Sequence, residues 1–228
     1  MNYVLLPSER PSVPVAGVDR RFAVHRIYCV GRNYAEHAKE MGGDPTREPP
    51  FFFSKPADAV VPNGAAIAYP SRTQNLHHEV ELVVAIGKGG CNISVAAALD
   101  HVFGYAVGND LTRRDLQKQA KDAGRPWDVS KSFDKSAPIA AIRPVNPAGH
   151  VTHAAIWLKV NGDIKQQANI SDLTWSVPEV IAELSTYFDL QPGDLIFTGT
   201  PAGVSAIKKG DRIEAGIDGL ETLTTTIV

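Results

Sequence analysis

Asn75-Leu76-His77-His78-Glu79-Val80-Glu81-Leu82-Val83-Val84-Ala85-Ile86 begins polar and finishes as an unbroken apolar run. Side chains alternate between the two faces of a strand, so an extended reading puts Glu79 and Glu81 on one face and Val80 and Leu82 on the other. From Leu82 onward both faces are apolar, which predicts a strand buried on both sides rather than the wet edge of a sheet. Two carboxylates held together against such a strand are costly unless protons or a cation neutralise them. A hard divalent metal meets that requirement. A half-exposed strand that turns two glutamates into water meets it too, and the stretch alone leaves both open.

A third carboxylate follows. His101-Val102-Phe103-Gly104-Tyr105-Ala106-Val107-Gly108 reads as a strand that ends on Asn109-Asp110, where a helix begins and side chains point into sites rather than the core. Thr112 and Asp115 have capping-box spacing for that helix, which gives Asp115 a structural task and leaves Asp110 without one. Glu79, Glu81 and Asp110 then offer three oxygen ligands. All-carboxylate coordination completed by water suits Mg2+ or Mn2+ and matches zinc poorly. His77 and His78 are the alternative zinc donors, although a supporting role behind the carboxylates, or packing, accounts for them.

Upstream, Pro7, Pro11 and Pro14 interrupt regular structure, so residues 1–24 are expected as an arm over a main body of residues 25–228. Arg26 to Gly31 reads as a short strand, with Asn33 as N-cap of a helix running to about Met41. His37 and Glu40 share a face of that helix, where a carboxylate can orient an imidazole for general-base work; a solvated ion pair has the same spacing. Gly42 to Pro50, rich in turn formers, is expected as a mobile surface loop that orders over bound substrate. Phe51-Phe52-Phe53-Ser54-Lys55-Pro56 follows as an aromatic strand expected in the core.

Downstream, Ser94 is expected to cap an alanine-rich helix, and Asn161-Gly162 to turn a hairpin between Trp157–Val160 and Ile164–Gln167. Ser176 and Glu179 bracket Pro178 as a capping box for a helix to about Phe188, with Val180, Ile181, Leu184 and Tyr187 as its core face. Leu195 to Thr200 reads as a buried strand ending in a hydroxyl and a glycine backbone. Lys208–Asp211 and Asp218-Gly219 read as further hairpin turns.

At 228 residues, 43% hydrophobic and 21% charged, the chain can bury a substantial core in one globular domain. A formal net charge of -2 with interspersed signs removes the electrostatic ground for nucleic-acid or membrane-surface binding, which leaves small-molecule chemistry. Cys29 and Cys91 are too few for a disulfide framework and fit a reducing compartment. With no apolar signal segment and no run of membrane-spanning length, a cytoplasmic protein is expected.

Cys29-Val30-Gly31-Arg32-Asn33-Tyr34-Ala35-Glu36-His37, His77 to Leu82, Asp110-Leu111-Thr112-Arg113-Arg114-Asp115, Lys131-Ser132-Phe133-Asp134 and Thr198-Gly199-Thr200-Pro201 resemble, in order and spacing, the fumarylacetoacetate hydrolase family. Within it the chain is similar to short bacterial members that hydrolyse acylpyruvates such as fumarylpyruvate, and Pro50 to Val60 supports that branch. The resemblance implies a β-rich α+β fold around a rolled mixed sheet, of the type of the family's C-terminal domain, and a homodimer. It implies one Mg2+ or Mn2+ per subunit on Glu79, Glu81 and Asp110, the ligands the strand argument reaches from the residues. It further implies His37 and Glu40 as a water-activating dyad on a lid helix, Lys131 as a site lysine, and Arg114 and Gln117 facing the substrate. Thr200, beside Gly199, would hold the substrate carboxylate. The expected reaction is hydrolysis of a carbon–carbon bond in a 2,4-dioxo acid, fumarylpyruvate to fumarate and pyruvate in gentisate-type aromatic catabolism. The alternatives are oxaloacetate decarboxylation and isomerisation or tautomerisation of an oxo-dioic acid. A non-catalytic binding protein is disfavoured because no metal ligand is missing and His37 is present.

Overall fold

The computed structural model of the protein describes residues 4–5, 9–42 and 48–228. The centre of the loop expected to close, residues 43–47, lies outside them. The strand Val80–Ile86 is buried along its whole length, as the apolar run predicts. Its even-numbered side chains, Val80, Leu82, Val84 and Ile86, enter one core cluster and its odd-numbered Val83 and Ala85 enter another, so both faces are dry. Glu79 and Glu81 continue the odd-numbered face beyond the point where apolar packing stops.

This strand is one of eight in its sheet. Their order is Phe51–Lys55, Ile27–Gly31, Leu195–Phe197, Val80–Ile86, Val102–Asn109, Ala137–Ile139 and Val60–Pro62, with Arg143–Pro144 also pairing to Val102–Asn109. Leu195–Phe197 runs parallel to Ile27–Gly31 and antiparallel to Val80–Ile86, so the sheet is mixed. A five-stranded sheet, Asp163–Asn169, Ala155–Val160, Arg212–Ile217, Leu223–Ile227 and Ala66–Ile67, covers one face. Leu82, Val84, Tyr105 and Val107 pack there against Ile156, Leu158, Ile213 and Ala215. The fold is α+β, strand-rich and built on a curled mixed sheet. No helix among the described residues is long and apolar enough to cross a membrane.

The quoted stretch is not one strand. Leu76–His77 belongs to a small sheet with Thr112–Arg113 and Ala206–Ile207, and the chain changes sheets at His78-Glu79. Side chains hold the transition: the Glu79 N–H donates to Asn109 Oδ1 at 2.8 Å and the Val80 N–H to Gln166 Oε1 at 3.1 Å. In return the Asp110 N–H donates to the Glu79 carbonyl at 2.8 Å, which ties the two ligand-bearing segments together by their backbones.

Several local expectations give way to long-range partners. Asn33 does not cap the helix Ala35–Glu40; Tyr34 stands at that position, while the Asn33 amide reaches Thr198 O at 2.8 Å and Trp175 N and O at 2.7 and 2.9 Å. Thr112 and Asp115 form no capping box for the helix Arg114–Asp122. Asp115 instead accepts from Thr73 Oγ1 and from the N–H groups of Gln74 and Leu116, pinning the approach to Leu76–His77. Ser94 precedes a 3-10 helix, Val95–His101, without a side-chain cap. Tyr187 is exposed rather than core, although Val180, Ile181 and Leu184 are buried. Lys208–Asp211 makes a turn between strands that do not pair with each other. The Ser176–Glu179 capping box and the Asn161-Gly162 hairpin form as expected, the latter with both residues at positive φ.

Gly108 sits opposite Glu81 in the ladder, and a Cβ there would lie 2.5 Å from Val83 Cγ2 and 2.6 Å from Phe197 Cε1. Gly108→Ala is therefore expected to lower the unfolding free energy by about 1–3 kcal/mol through overpacking. A urea midpoint that falls with an unchanged slope is the expected readout, and an unshifted midpoint would show that the two core clusters are loose there.

Candidate active site

Strand ends bring the carboxylates together. One oxygen from each of Glu79, Glu81 and Asp110 lies within 4.8 Å of the others, and the three residues are at most 4% exposed. Three cations from separate segments meet them. Lys131, at the end of the short helix Asp128–Lys131, places Nζ 2.7 Å from Glu79 Oε2 and 2.6 Å from Asp110 Oδ2. Arg114 opens its helix with NH2 on Glu79 Oε1, while its NH1 donates to Gln117 Oε1 at 2.5 Å. Lys55 Nζ stands 2.7 Å from Asp110 Oδ1 and donates to the carbonyls of Lys131 and Leu111.

These contacts pull the carboxylates apart in acidity. Burial alone would raise Glu79, but Lys131 and Arg114 more than offset it and hold it well below the usual range. Burial drives Glu81 well above that range, with Asp110 and Glu79 adding to the effect. Lys131 remains an ammonium because Asp110 and Glu79 outweigh its own burial.

The donor set fits a hard divalent ion: three buried carboxylates whose oxygens converge, with burial and the two neighbouring carboxylates disfavouring a charge on Glu81 when no cation is present. The histidines do not compete. His77 Nε2 meets Asn75 Oδ1 at 3.0 Å and its Nδ1 receives Arg114 Nε at 3.4 Å, and burial followed by Arg114 lowers the ring to about 4. His78 Nδ1 meets Gln166 Oε1 and its Nε2 meets Ser205 Oγ, both at 2.9 Å. Both rings are occupied at both nitrogens.

His37 is paired with Glu40 in a buried setting rather than in a fully solvated one. Its ring is buried, and Nδ1 lies 3.1 Å from Glu40 Oε2. The carboxylate can only accept, so Nδ1 carries the proton and Nε2 is left as the basic atom on a residue that lines the cavity. Burial lowers His37 below its ordinary value, with Glu79 and Glu40 partly opposing, so the ring is neutral at pH 7. Glu40 is itself fixed by the Gly203 N–H.

The cavity, about 290 Å³, is lined by the three carboxylates, His37, Glu40, Arg114, Gln117, Lys131 and Thr200. Gly199 is the exception among the expected site residues. It is not among the lining residues, and its N–H donates to Glu81 Oε2 at 2.8 Å. Phe51 and Phe53, expected in the core, form a cavity wall with Trp127, at centroid distances of 5.3 and 5.8 Å from it.

Two residues escaped the sequence reading. A lysine inside an aromatic strand must find a buried partner, and that was the available signal for Lys55. Gln166 carried none. Its Oε1 must accept from the Val80 N–H, so its Nε2 donates to Thr200 Oγ1 at 2.7 Å, leaving the Thr200 hydroxyl proton for an acceptor in the cavity.

Residues 26–228 match the family model described as "Fumarylacetoacetate (FAA) hydrolase C-terminal". Over 184 residues the chain is 47% identical to a fumarylpyruvate hydrolase of Ralstonia sp, covering 81% of this chain and 95% of that protein. It is 46% identical over 197 residues to the mitochondrial oxaloacetate tautomerase of Mus musculus, covering 86% and 89%. The crystal structure of fumarylpyruvate hydrolase from Pseudomonas aeruginosa in complex with Mn2+ and pyruvate superimposes with a TM-score of 0.98 at 54% identity, covering 100% of this chain and 99% of that one.

Lys131→Met strips two buried carboxylates of their shared ammonium. In EDTA near pH 7 the variant is expected to lose about 3–5 kcal/mol of stability, the usual cost of leaving a buried charge unpaired. The loss should shrink as pH falls from the ordinary carboxylate value toward the depressed one of Glu79, because protonated Glu79 no longer needs a cation, and Mn2+ should restore part of it. Equal stability of variant and wild type in EDTA would mean that the cluster is not held by charge.

Proposed function

Because the chain belongs to the fumarylacetoacetate hydrolase family, we propose that it is a metal-dependent hydrolase that cleaves a carbon–carbon bond of a 2,4-dioxo acid, fumarylpyruvate to fumarate and pyruvate. The observation that carries this reading is a buried three-carboxylate cluster sharing one cavity with a neutral histidine whose Nδ1–H is committed to Glu40. Glu79, Glu81 and Asp110 would hold Mg2+ or Mn2+, which when bound supplies a Lewis acid for the 2-oxo acid end and for the charge that develops on it.

The chain's own groups do the remainder. His37 Nε2 takes a proton from water while Glu40 fixes the ring, and the hydroxide adds to the C4 carbonyl. The C3–C4 bond breaks with its electron pair on the C3 side, which is protonated to pyruvate as the acyl half leaves as fumarate. Arg114, the Gln117 amide and Lys131 present cationic or N–H donors to the carboxylate and 2-oxo oxygens, and Thr200 presents its hydroxyl. Family resemblance supports a homodimer and a place in gentisate-type aromatic catabolism. Two unpaired cysteines, Cys29 buried and Cys91 exposed, support a reducing, cytoplasmic setting.

A second reading has its own support, because a relative as similar as the hydrolase is an oxaloacetate tautomerase. Enolate chemistry on oxaloacetate, by tautomerisation or decarboxylation, would use the same carboxylate cluster and no attacking water.

Purified protein with Mn2+ is expected to turn over fumarylpyruvate, and both EDTA and Glu81→Ala should remove nearly all of that activity. Full activity in EDTA would overturn the metal reading. His37→Ala separates the two reactions: hydrolysis should fall about a hundredfold or more, within the usual span for a lost general base, while any oxaloacetate activity falls much less. Equal loss of both, with Mn2+ binding intact, would make His37 a substrate-positioning group.

A further inference from the structure

Within the cavity Lys131 lies over the Phe53 ring and Arg32 over the Phe51 ring, and both rings meet Trp127, so an aromatic wall runs from the carboxylate cluster to a further cation. Arg32 follows the last residue of the strand Ile27–Gly31 and adopts φ +57, a conformation that a non-glycine residue keeps only where its surroundings impose it. Gly31 pairs with Phe51 across the ladder, and a Cβ on it would run into the Phe51 ring, so that ring rests on bare backbone. The Arg32 guanidinium lies over the same ring, 5.7 Å from its centroid. Arg32 is half-buried and lines the cavity that holds the ligand cluster, and no carboxylate pairs with it among the described residues. Two other cations line the cavity and are less suited: Lys118 is paired with Asp122 at 2.5 Å, and Lys121 is exposed.

A guanidinium with one face covered by an aromatic ring keeps its N–H fork for a planar carboxylate. We propose that Arg32 reads a carboxylate at the far end of the acyl tail, so that the site selects dianionic acylpyruvates over those with neutral tails. The aromatic wall of Phe51, Phe53 and Trp127 beside it suits a flat, conjugated tail. This assignment rests on the 2,4-dioxo acid reading above and adds the feature of the acyl group that is recognised.

The test compares two ligands with the same chelating end, 2-oxoheptanedioate and 2-oxoheptanoate, by calorimetric titration of the Mn2+-loaded protein. Lacking a 4-oxo group, neither can be cleaved. Wild type should favour the dianion by about tenfold to a hundredfold, the range for a charge-assisted pair. Arg32→Gln should bring the ratio close to one, and Lys121→Gln should keep it. Arg32→Lys, which retains charge without the fork, should cut the ratio severalfold and serves should Arg32→Gln not fold. Failure of wild type to bind the dianion, a wild-type ratio near one, a preference that survives in the Arg32 variants, or one abolished by Lys121→Gln would each overturn the assignment. Turnover plays no part in this readout. A dianion preference that depends on Arg32 in a protein that hydrolyses no acylpyruvate would therefore sink the hydrolase reading alone, and hydrolysis without that preference would sink Arg32 alone.

Discussion

Three carboxylates buried within reach of one another set the terms for the rest of the molecule. An ion taken out of water costs several kcal/mol even after the protein relaxes, and like neighbours add to that cost. The chain answers with a near-balance of opposite charge drawn from three places: Lys55 from an edge strand, Arg114 from a helix start and Lys131 from a short helix end. Backbone geometry does the rest. The Asp110 N–H bonds to the Glu79 carbonyl, and Gly108 opposite Glu81 leaves room for Val83 and Phe197 beneath it. A binding site for a cation and a neutralised core junction are here the same construction.

Hydrogen-bond sense is transmitted into the cavity as firmly as charge. The Val80 N–H can only donate, which orients the Gln166 amide, which in turn settles that Thr200 accepts from it and that His78 donates through Nδ1. Similarly, Arg114 occupies the Gln117 carbonyl oxygen and leaves the amide N–H groups as that side chain's donors. The polarity of groups that face a ligand is therefore decided by residues that never meet it.

Much of this was legible wherever a short-range rule governs. The two-residue period placed Glu79 and Glu81 on one face, the apolar run marked a doubly buried strand, and the Asn161-Gly162 and Ser176–Glu179 signals formed the turn and the cap they encode. Family motifs brought His37, Glu40, Arg114, Gln117, Lys131 and Thr200 to one cavity with the three carboxylates. Sequence reading failed where a capping residue found a better partner far away. Asn33 leaves its helix for Thr198 and Trp175, and Asp115 leaves its cap for Thr73 and Gln74. Gln166 is separated from Val80 by 86 residues, and no local pattern announces such a contact. The phenylalanines misled because hydrophobicity reads the same in a core and in the wall of a cavity.

Phe51–Lys55 stands at the end of the eight-stranded order, bonded on one side only, whereas Val80–Ile86 is bonded on both. Glu81 thus sits on a strand bonded on both sides, and Phe51, in the wall beside Arg32, on one bonded on a single side. Phe51 already meets solvent, whereas Glu81 is buried where the three carboxylates converge. The strand Phe51–Lys55 has two ends with different duties: Phe51 faces the cavity rim, while Lys55 is buried against Asp110 and belongs to the carboxylate junction. On the proposed reading, a lineage can acquire a new carbon source by altering the rim while inheriting the bond-breaking machinery intact.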